Sequence, residues 1–312
     1  MYIGLDIGGT KCAVITADNG GNINSRVAFA TMPCRTTLDR LYVEIDKIIA
    51  ANPDDKVLGI GISCGGPLNE NTGVIMSPPN LPGWDNVEIV KEIETRFGIP
   101  AHLRNDANAC ALAEWKFGAG QGTQNMIFLT FGTGMGAGLI LNGKLYSGTN
   151  GNAGEVGHMR LADFGPVGYG KAGSFEGFCS GGGIKQLGQI FAREQLQMGR
   201  SVGYCPTMAD LDNVSARIIA EAAHAGDPTA IEVYRYCGEK LGAGLSILID
   251  LFNPEAIVIG SIYERSGDLL EESMQAVIAK NTLAPSREVC RIVPAALGDQ
   301  IGDKAAIAAA ME

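Results

Sequence analysis

Tyr2-Ile3-Gly4-Leu5-Asp6-Ile7-Gly8-Gly9-Thr10-Lys11-Cys12-Ala13-Val14 reads as an apolar strand, a turn of small residues carrying a hydroxyl, and a second strand. The pattern returns at Met126-Ile127-Phe128-Leu129-Thr130-Phe131-Gly132-Thr133-Gly134-Met135-Gly136-Ala137-Gly138-Leu139-Ile140. Glycines such as Gly8, Gly9, Gly132 and Gly134 let a backbone turn tightly and show its N–H groups to an anion. Thr10 and Thr133 add hydroxyl donors and Lys11 a positive charge. Asp6, at the end of an apolar run, offers a carboxylate that can hold Mg²⁺ through water. Taken singly, each is as readily an ordinary β-hairpin. A matched pair implies a duplicated architecture, and two such turns facing across a cleft can hold a phosphate chain from both sides.

Other nucleotide motifs fail on context. Gly138 to Lys144 nearly spells a P-loop, but Leu145 stands where Ser or Thr must bind the metal. Gly132-Thr133-Gly134-Met135-Gly136-Ala137 fits a dinucleotide fingerprint, which must open a helix. Here it opens Leu139-Ile140-Leu141-Asn142-Gly143-Lys144-Leu145, a strand, an Asn-Gly turn and a second strand.

With 312 residues the chain has room for two domains. Its net charge of −10 argues against a nucleic-acid partner, which needs clustered Lys and Arg. No basic start precedes an apolar segment, and no apolar run reaches membrane-spanning length, so neither a secretory signal nor a membrane partner is expected. The eight cysteines are scattered without a C-x-x-C pair, which fits reduced thiols and a cytoplasmic location better than a disulfide framework.

The order of elements is α/β. Three strands fill residues 1–32, and helical periodicity follows over 37–51. A buried strand at 57–63, a helix at 86–97 and a strand at 101–104 come next. Asn105-Asp106 then caps a helix through Phe117. Helices are expected at about 181–198, 207–225, 227–252 and 266–280, strands at 256–261 and 291–294, and a last helix at 301–311. We therefore expect a small N-terminal domain, 1–119, to which a C-terminal helix at 300–312 returns, and a larger domain, 120–299. Ligands of α/β folds gather at the carboxyl ends of such strands, so the ends at 2–9, 57–66, 126–134 and 256–261 are expected to line one cleft.

Four polar segments remain. Ser77-Pro78-Pro79-Asn80-Leu81-Pro82-Gly83-Trp84 is rigid and displays Asn80, Asn105-Asp106 sits at a strand-to-helix junction, Glu155-Val156-Gly157-His158 follows a glycine-rich loop, and Ser174-Phe175-Glu176-Gly177 precedes another. Such residues pair donors and acceptors as a polyol requires. Each also has a plainer use. Asn105 and Asp106 serve equally as helix caps, His158 as a hydrogen-bonded structural histidine, and Glu155 and Glu176 as solvated carboxylates, while Trp84 suits packing better than stacking on a ligand.

Over nearly its whole length the chain resembles the ROK (repressor, open reading frame, kinase) sugar kinases. The resemblance rests on Asp6-Ile-Gly-Gly-Thr10-Lys11, Gly59-Ile-Gly-Ile-Ser-Cys-Gly65-Gly66-Pro67, Asn80-Leu-Pro-Gly-Trp84, Asn105-Asp-Ala-Asn-Ala109, Gly132-Thr-Gly-Met-Gly136 and Ala153-Gly-Glu155-Val-Gly-His158. It implies an actin-like ATPase fold, two ribonuclease-H-like α/β domains around a cleft whose closure excludes water. It implies Asp106 as catalytic base. Asn80, Asn105, Glu155, His158 and Glu176 are implied to hold sugar hydroxyls beside the Gly66 backbone. Asp6, Thr10, Lys11 and Thr133 are implied to face ATP and Mg²⁺, with Gly260 next to adenosine, and a homodimer is implied as well.

The chain departs from that family in two places. Many members carry a zinc site of one His and three Cys, but the cysteine positions here are Val167, Tyr169 and Ser174. His158 alone cannot make a four-coordinate site, and Cys179 leaves two ligands at most. No zinc is expected, and Tyr169 and Phe175 are expected to hold the loop by packing. At Val258-Ile259-Gly260-Ser261-Ile262-Tyr263, Ser261 and Ile262 bring side chains where the family shows further glycines. The leading expectation is an ATP-dependent kinase of the 6-hydroxyl of glucose or a relative. An N-acetylmannosamine or N-acetylglucosamine kinase and a non-catalytic sugar sensor are the alternatives. The family's repressors place a DNA-binding helix-turn-helix ahead of the first hairpin, where this chain has five residues before Asp6.

Overall fold

The computed structural model describes residues 1–312, which form two compact units. The first comprises Met1–Gln124, Gly138–Ala153 and Ala296–Glu312, the second Asn125–Ala137 and Gly154–Ala295.

In the first unit, β1 (Tyr2–Ile7), β2 (Lys11–Ala17) and β3 (Ile23–Ala30) form the antiparallel meander. After α1 (Cys34–Ala51), β4 (Ile60–Cys64) runs parallel to β1. A short hairpin, β5 (Leu68–Asn69) and β6 (Val74–Ile75), precedes α2 (Ile89–Phe97). β7 (Ala101–Asn105) then pairs parallel with β4 and leads directly into α3 (Asp106–Phe117). The sheet order is β3-β2-β1-β4-β7, which leaves β7 at an edge. Because side chains alternate along a strand, Ile3, Leu5 and Ile7 share one face. They enter a core with Leu38, Leu41, Ile45, Ile62, Ile93 and Leu103.

The opposite face carries Ala13, Ile15 and Ala17 and, on its central strands, glycine. The C-terminal helix lies on Gly4, Gly59 and Gly61 through its buried alanines, Ala305, Ala306 and Ala308 to Ala310. A methyl group placed on Gly61 would lie 2.1 Å from the Ala306 carbonyl oxygen and 2.2 Å from the Ala310 nitrogen. Both are backbone atoms, so neither can swing aside. Gly61→Ala is therefore expected to cost about 3 kcal/mol by overpacking, read as a lower urea midpoint, and an unchanged midpoint would contradict this close approach.

The second unit opens with β8 (Met126–Leu129). Beyond its glycine turn, β9 (Ala137–Leu141) and β10 (Lys144–Leu145) make a hairpin. Residues 138–153 go with the first unit, unlike the continuous 120–299 body expected above. Gly138 gives the reason: its Cα approaches α3 so closely that a methyl group there would meet Ala111 Cβ at 2.4 Å. A small hairpin, β11 (Val167–Gly168) and β12 (Lys171–Ala172), precedes α4 (Phe175–Phe178), α5 (Gly181–Gln197), α6 (Ala216–His224) and α7 (Pro228–Phe252). The chain continues through β13 (Ala256–Ile259), α8 (Ile262–Asn281), α9 (Ala284–Val289) and β14 (Arg291–Pro294), and ends in α10 (Ile301–Ala310) of the first unit. β13 lies parallel between β8 and β14.

The single helix expected over 207–225 is two elements. Thr207 and Asp210 close a capping box on a 3-10 turn, Met208–Asn213, extended Val214 breaks it, and Ser215 caps α6. The helix expected from 266 begins at Ile262 and kinks at Ser266. No helix is long and apolar enough to cross a membrane.

Candidate functional site

In the first unit, β1, β4 and β7 are parallel, so their carboxyl ends share one edge of the sheet. The turn after β1, the Gly65-Gly66 segment after β4 and the junction of β7 with α3 lie there, and the loop after β6 comes up to them. The turn after β1 is closed by the Gly8 N–H on the Lys11 carbonyl oxygen, 3.1 Å, and by the Thr31 hydroxyl on the Gly8 carbonyl oxygen, 2.6 Å. Gly9, Thr10 and Lys11 are left exposed at its tip. The loop 77–84 is pinned by buried Leu81 and by Trp84, which is 1 % exposed and belongs to the core, as its aromatic bulk suggested. That pinning leaves Asn80, just ahead of Leu81, exposed.

These loops meet. A methyl group on Gly9 would lie 2.4 Å from the Asn80 carbonyl oxygen, so only glycine allows this turn to rest on the Asn80 loop. The same test at Gly65 reaches the Asn80 amide at 3.6 Å and Asp106 Oδ2 at 4.0 Å, and at Gly66 it reaches Asn105 Nδ2 at 3.3 Å. Gly9, Gly65, Gly66, Asn80, Asn105 and Asp106 thus form one cluster.

Asp106 is the first residue of α3. Asn105 Oδ1 caps the helix by accepting the Ala107 N–H at 3.0 Å, and Asp106 Oδ1 accepts the same N–H at 2.8 Å. The two neighbouring side chains therefore share the Ala107 N–H at the start of the helix. Asp106 keeps accessible surface, yet the protein around it thins its hydration and raises its carboxyl above the ordinary 3.8, against backbone hydrogen bonds from Ala107 and its own N–H. Asp6 is raised as well, first by burial and then by the negative charge of Asp303, with Arg26 and Lys11 opposing. Arg26 Nε holds Asp303 at 2.8 Å. Two carboxylates of like charge, one at each end of the chain, make Asp6 a fitting place for a divalent cation. Asp303 had no signal in the sequence.

The second unit carries the other group. Thr130 closes the second turn: its N–H donates to the Gly136 carbonyl oxygen at 2.9 Å and its hydroxyl accepts the Gly136 N–H at 2.8 Å. Thr133 is exposed at the tip. Glu176 Oε2 accepts the Met135 N–H at 3.0 Å and would lie 2.8 Å from a methyl group on Gly134. Gly157, in the 3-10 turn Val156–His158, packs on the Met135 carbonyl oxygen. Glu155 precedes that turn, His158 ends it, and both are exposed.

Gly132 faces Ser261, whose Oγ would be 3.6 Å from a methyl group on Gly132, and the start of α5 abuts the turn through the Gly181 N–H on the Gly132 carbonyl oxygen, 2.8 Å. Ser261, next to Gly260, has φ +59, a region glycine enters freely and serine does not. Serine thus holds a backbone shape that favours glycine, and its N–H donates to Glu264 Oε1 at 2.7 Å.

The three positions that depart from the metal pattern are otherwise engaged. Tyr169 stacks edge-on against His158 with ring centroids 5.3 Å apart, although it is 78 % exposed. Ser174 is buried and caps α4 by accepting the Gly177 N–H, and Val167 lies in β11. Cys179 points away into the core, its Sγ toward the Cys237 carbonyl oxygen at 3.6 Å. Phe175 is fully buried against Gly244, so the packing role expected of it and Tyr169 divides into one core ring and one surface ring.

A model of the ROK family matches residues 2–311. The chain is similar to the glucokinase of Streptomyces coelicolor, 32% identical over 308 residues that span 97% of this chain and 95% of that protein. It is also similar to a putative xylose repressor of Caldicellulosiruptor sp., 30% identical over 308 residues, 96% of this chain and 75% of the repressor. Among solved structures it resembles a ROK family glucokinase from Streptomyces griseus in complex with glucose and AMPPNP, with TM-score 0.73, 31% identity, and coverage of 99% of this chain and 98% of that one. The fold is the α/β actin-like ATPase fold of these sugar kinases.

Proposed function

The chain belongs to the ROK family, and from that premise we propose that it is an ATP-dependent sugar kinase acting on a hexose hydroxyl, the 6-hydroxyl of glucose or a close relative. The observation that carries this reading is Asp106, a carboxylate with a raised pKa at the start of a helix, clustered with Asn80, Asn105 and the Gly65-Gly66 backbone. Phosphoryl transfer asks mainly for positioning and charge stabilisation. Asp106 accepts the hydrogen bond of the attacking hydroxyl and takes its proton late in the transfer, as the sugar oxygen bonds to the γ-phosphorus, the bond from that phosphorus to the bridging oxygen breaks and ADP leaves. Asn80, Asn105, Glu155, His158 and Glu176, with the Gly66 backbone, are assigned to the sugar hydroxyls. Gly8, Gly9, Thr10 and Lys11, with Gly132, Thr133 and Gly134, are assigned to the phosphates of ATP, and Gly260 to its adenosine. Asp6 is assigned to Mg²⁺ through water; when bound, the ion offsets charge on the β- and γ-phosphates.

ATP consumption by pure protein with Mg²⁺, across a panel of hexoses and N-acetylhexosamines, tests the reading. Turnover on glucose or a near relative supports it, and turnover confined to N-acetylmannosamine or N-acetylglucosamine moves the acceptor to that class. A folded protein that binds sugar without turnover would be a sensor, a role that similarity to a xylose repressor keeps in view.

We also propose that the loop around Tyr169 works without zinc, because His158 faces a tyrosine ring and Ser174 serves as a helix cap. Metal analysis of pure protein is expected to find zinc well below one ion per chain. Stoichiometric zinc, lost on His158→Ala, would overturn this.

A further inference from the structure

β7 is an edge strand, so its last N–H has no neighbouring strand to bond. Glu70, on the turn between β5 and β6, fills that place. Its Oε1 accepts the Asn105 N–H at 2.8 Å and the Asn108 side-chain amide at 2.8 Å. One oxygen thus ties the last residue of a strand to the first turn of the following helix, and Asp106 lies between the two tied points. Glu70 is 7 % exposed, and its other oxygen, Oε2, has no hydrogen-bond partner. The nearest positive charge is Arg104 Nη1 at 3.7 Å, itself shared with Glu312. A buried carboxylate left half satisfied is a poor stabiliser, and an edge strand can end in water at lower cost. Half satisfied, the carboxylate is a costly way to stabilise the fold, and what its single oxygen does achieve is a fixed strand-to-helix junction.

We propose that Glu70 is a positioning residue for Asp106: its Oε1 sets the junction on which Asn105 and Asp106 are displayed to the acceptor sugar. The inference rests on the kinase reading above. What matters is the reach and acceptor geometry of the side chain, since a single oxygen serves both donors.

Three variants separate reach from charge. Glu70→Gln keeps an oxygen at the same distance. Glu70→Asp keeps the charge but retracts it by one methylene, and Glu70→Ala removes the acceptor. Assayed on the folded protein well below its melting temperature, Glu70→Ala is expected to lose about 10- to 100-fold in kcat, the scale of a displaced reacting group. KM for ATP should stay within about threefold, because the phosphate turns are not tied to Glu70. Glu70→Asp is expected to lose about tenfold, and Glu70→Gln to recover most of the wild-type kcat. If Glu70→Ala does not fold, the contrast between Gln and Asp carries the test. Wild-type kcat in both Glu70→Asp and Glu70→Ala, or equal loss in Gln and Asp, overturns the positioning role while leaving the kinase reading intact. A wild-type protein without turnover on any sugar ends both.

Discussion

Replacing Asp106 by Asn is expected to lower kcat by about two or more orders of magnitude, the range spanned by a single general base. Sugar affinity is expected to change by no more than a few-fold. Asn keeps an oxygen to accept the Ala107 N–H, and the helix cap belongs to Asn105, so α3 keeps its start. What is lost is the capacity to take a proton. Stability separates this outcome from misfolding. The folded carboxyl sits above its ordinary value of 3.8 because the surrounding protein thins the hydration of its charge, an effect that the water still reaching the side chain keeps modest. The stability associated with it is fully present below about pH 3.8 and is lost as pH rises through the folded value. A neutral Asn avoids that loss. Asp106→Asn should therefore melt no lower than wild type at neutral pH, and the difference should shrink in acid. Wild-type turnover in this variant would remove Asp106 from the base role.

The same shift fixes the acid limb of the rate profile. The base works ionised, so kcat/KM should fall as pH drops through a value above 3.8. Asp6 is raised in the same direction, by burial and by Asp303, and contributes to that limb. The residual activity of Asp106→Asn should retain only the part due to Asp6. A limb unchanged by the substitution would assign it elsewhere.

Much of this was legible in sequence because it is local. Strand runs, glycine turns and a cap followed by a helix are written in consecutive residues, so Asp6 to Lys11, Asn105-Asp106 and the turn at Gly132 could be read directly. The break at 207–225 was also written locally, as Thr207 and Asp210 three residues apart, but the apolar period over the segment concealed it. Contacts between distant segments are different in kind. Nothing near Asp6 announces that Asp303 will share its surroundings. Nothing in Asn69-Glu70-Asn71 tells a solvated turn from a carboxylate holding the end of β7. The residue type at 261 suggested a reshaped turn, yet φ +59 is a backbone shape that favours glycine, and a local hydrogen bond accompanies it.

The largest loss of stability is expected at Glu114, fully buried on the same helix as Asp106. Its Oε2 accepts the Ala119 N–H at 2.7 Å, and its Oε1 accepts those of Ala296 at 3.0 Å and Leu297 at 2.9 Å. Ala119 lies where the chain is about to leave the first unit, and Ala296 and Leu297 where it has just returned. One carboxylate therefore fastens both passages to α3. Gly118 accommodates it, since a methyl group there would lie 2.1 Å from Glu114 Oε2. Hydrogen bonds to a charged acceptor are worth more than neutral ones, and donors stripped of a partner cost more still, so Glu114→Ala is expected to lose about 3 to 5 kcal/mol. Glu114→Gln should lose roughly half of that, because one oxygen survives while its amide meets an N–H donor to donor. Both tryptophans, Trp84 and Trp115, lie in the first unit, so their fluorescence reports its urea unfolding directly. A midpoint unchanged in Glu114→Ala would mean that these passages are held by the backbone alone. A lower midpoint with the wild-type kcat would separate the stability of α3 from the chemistry at its first residue.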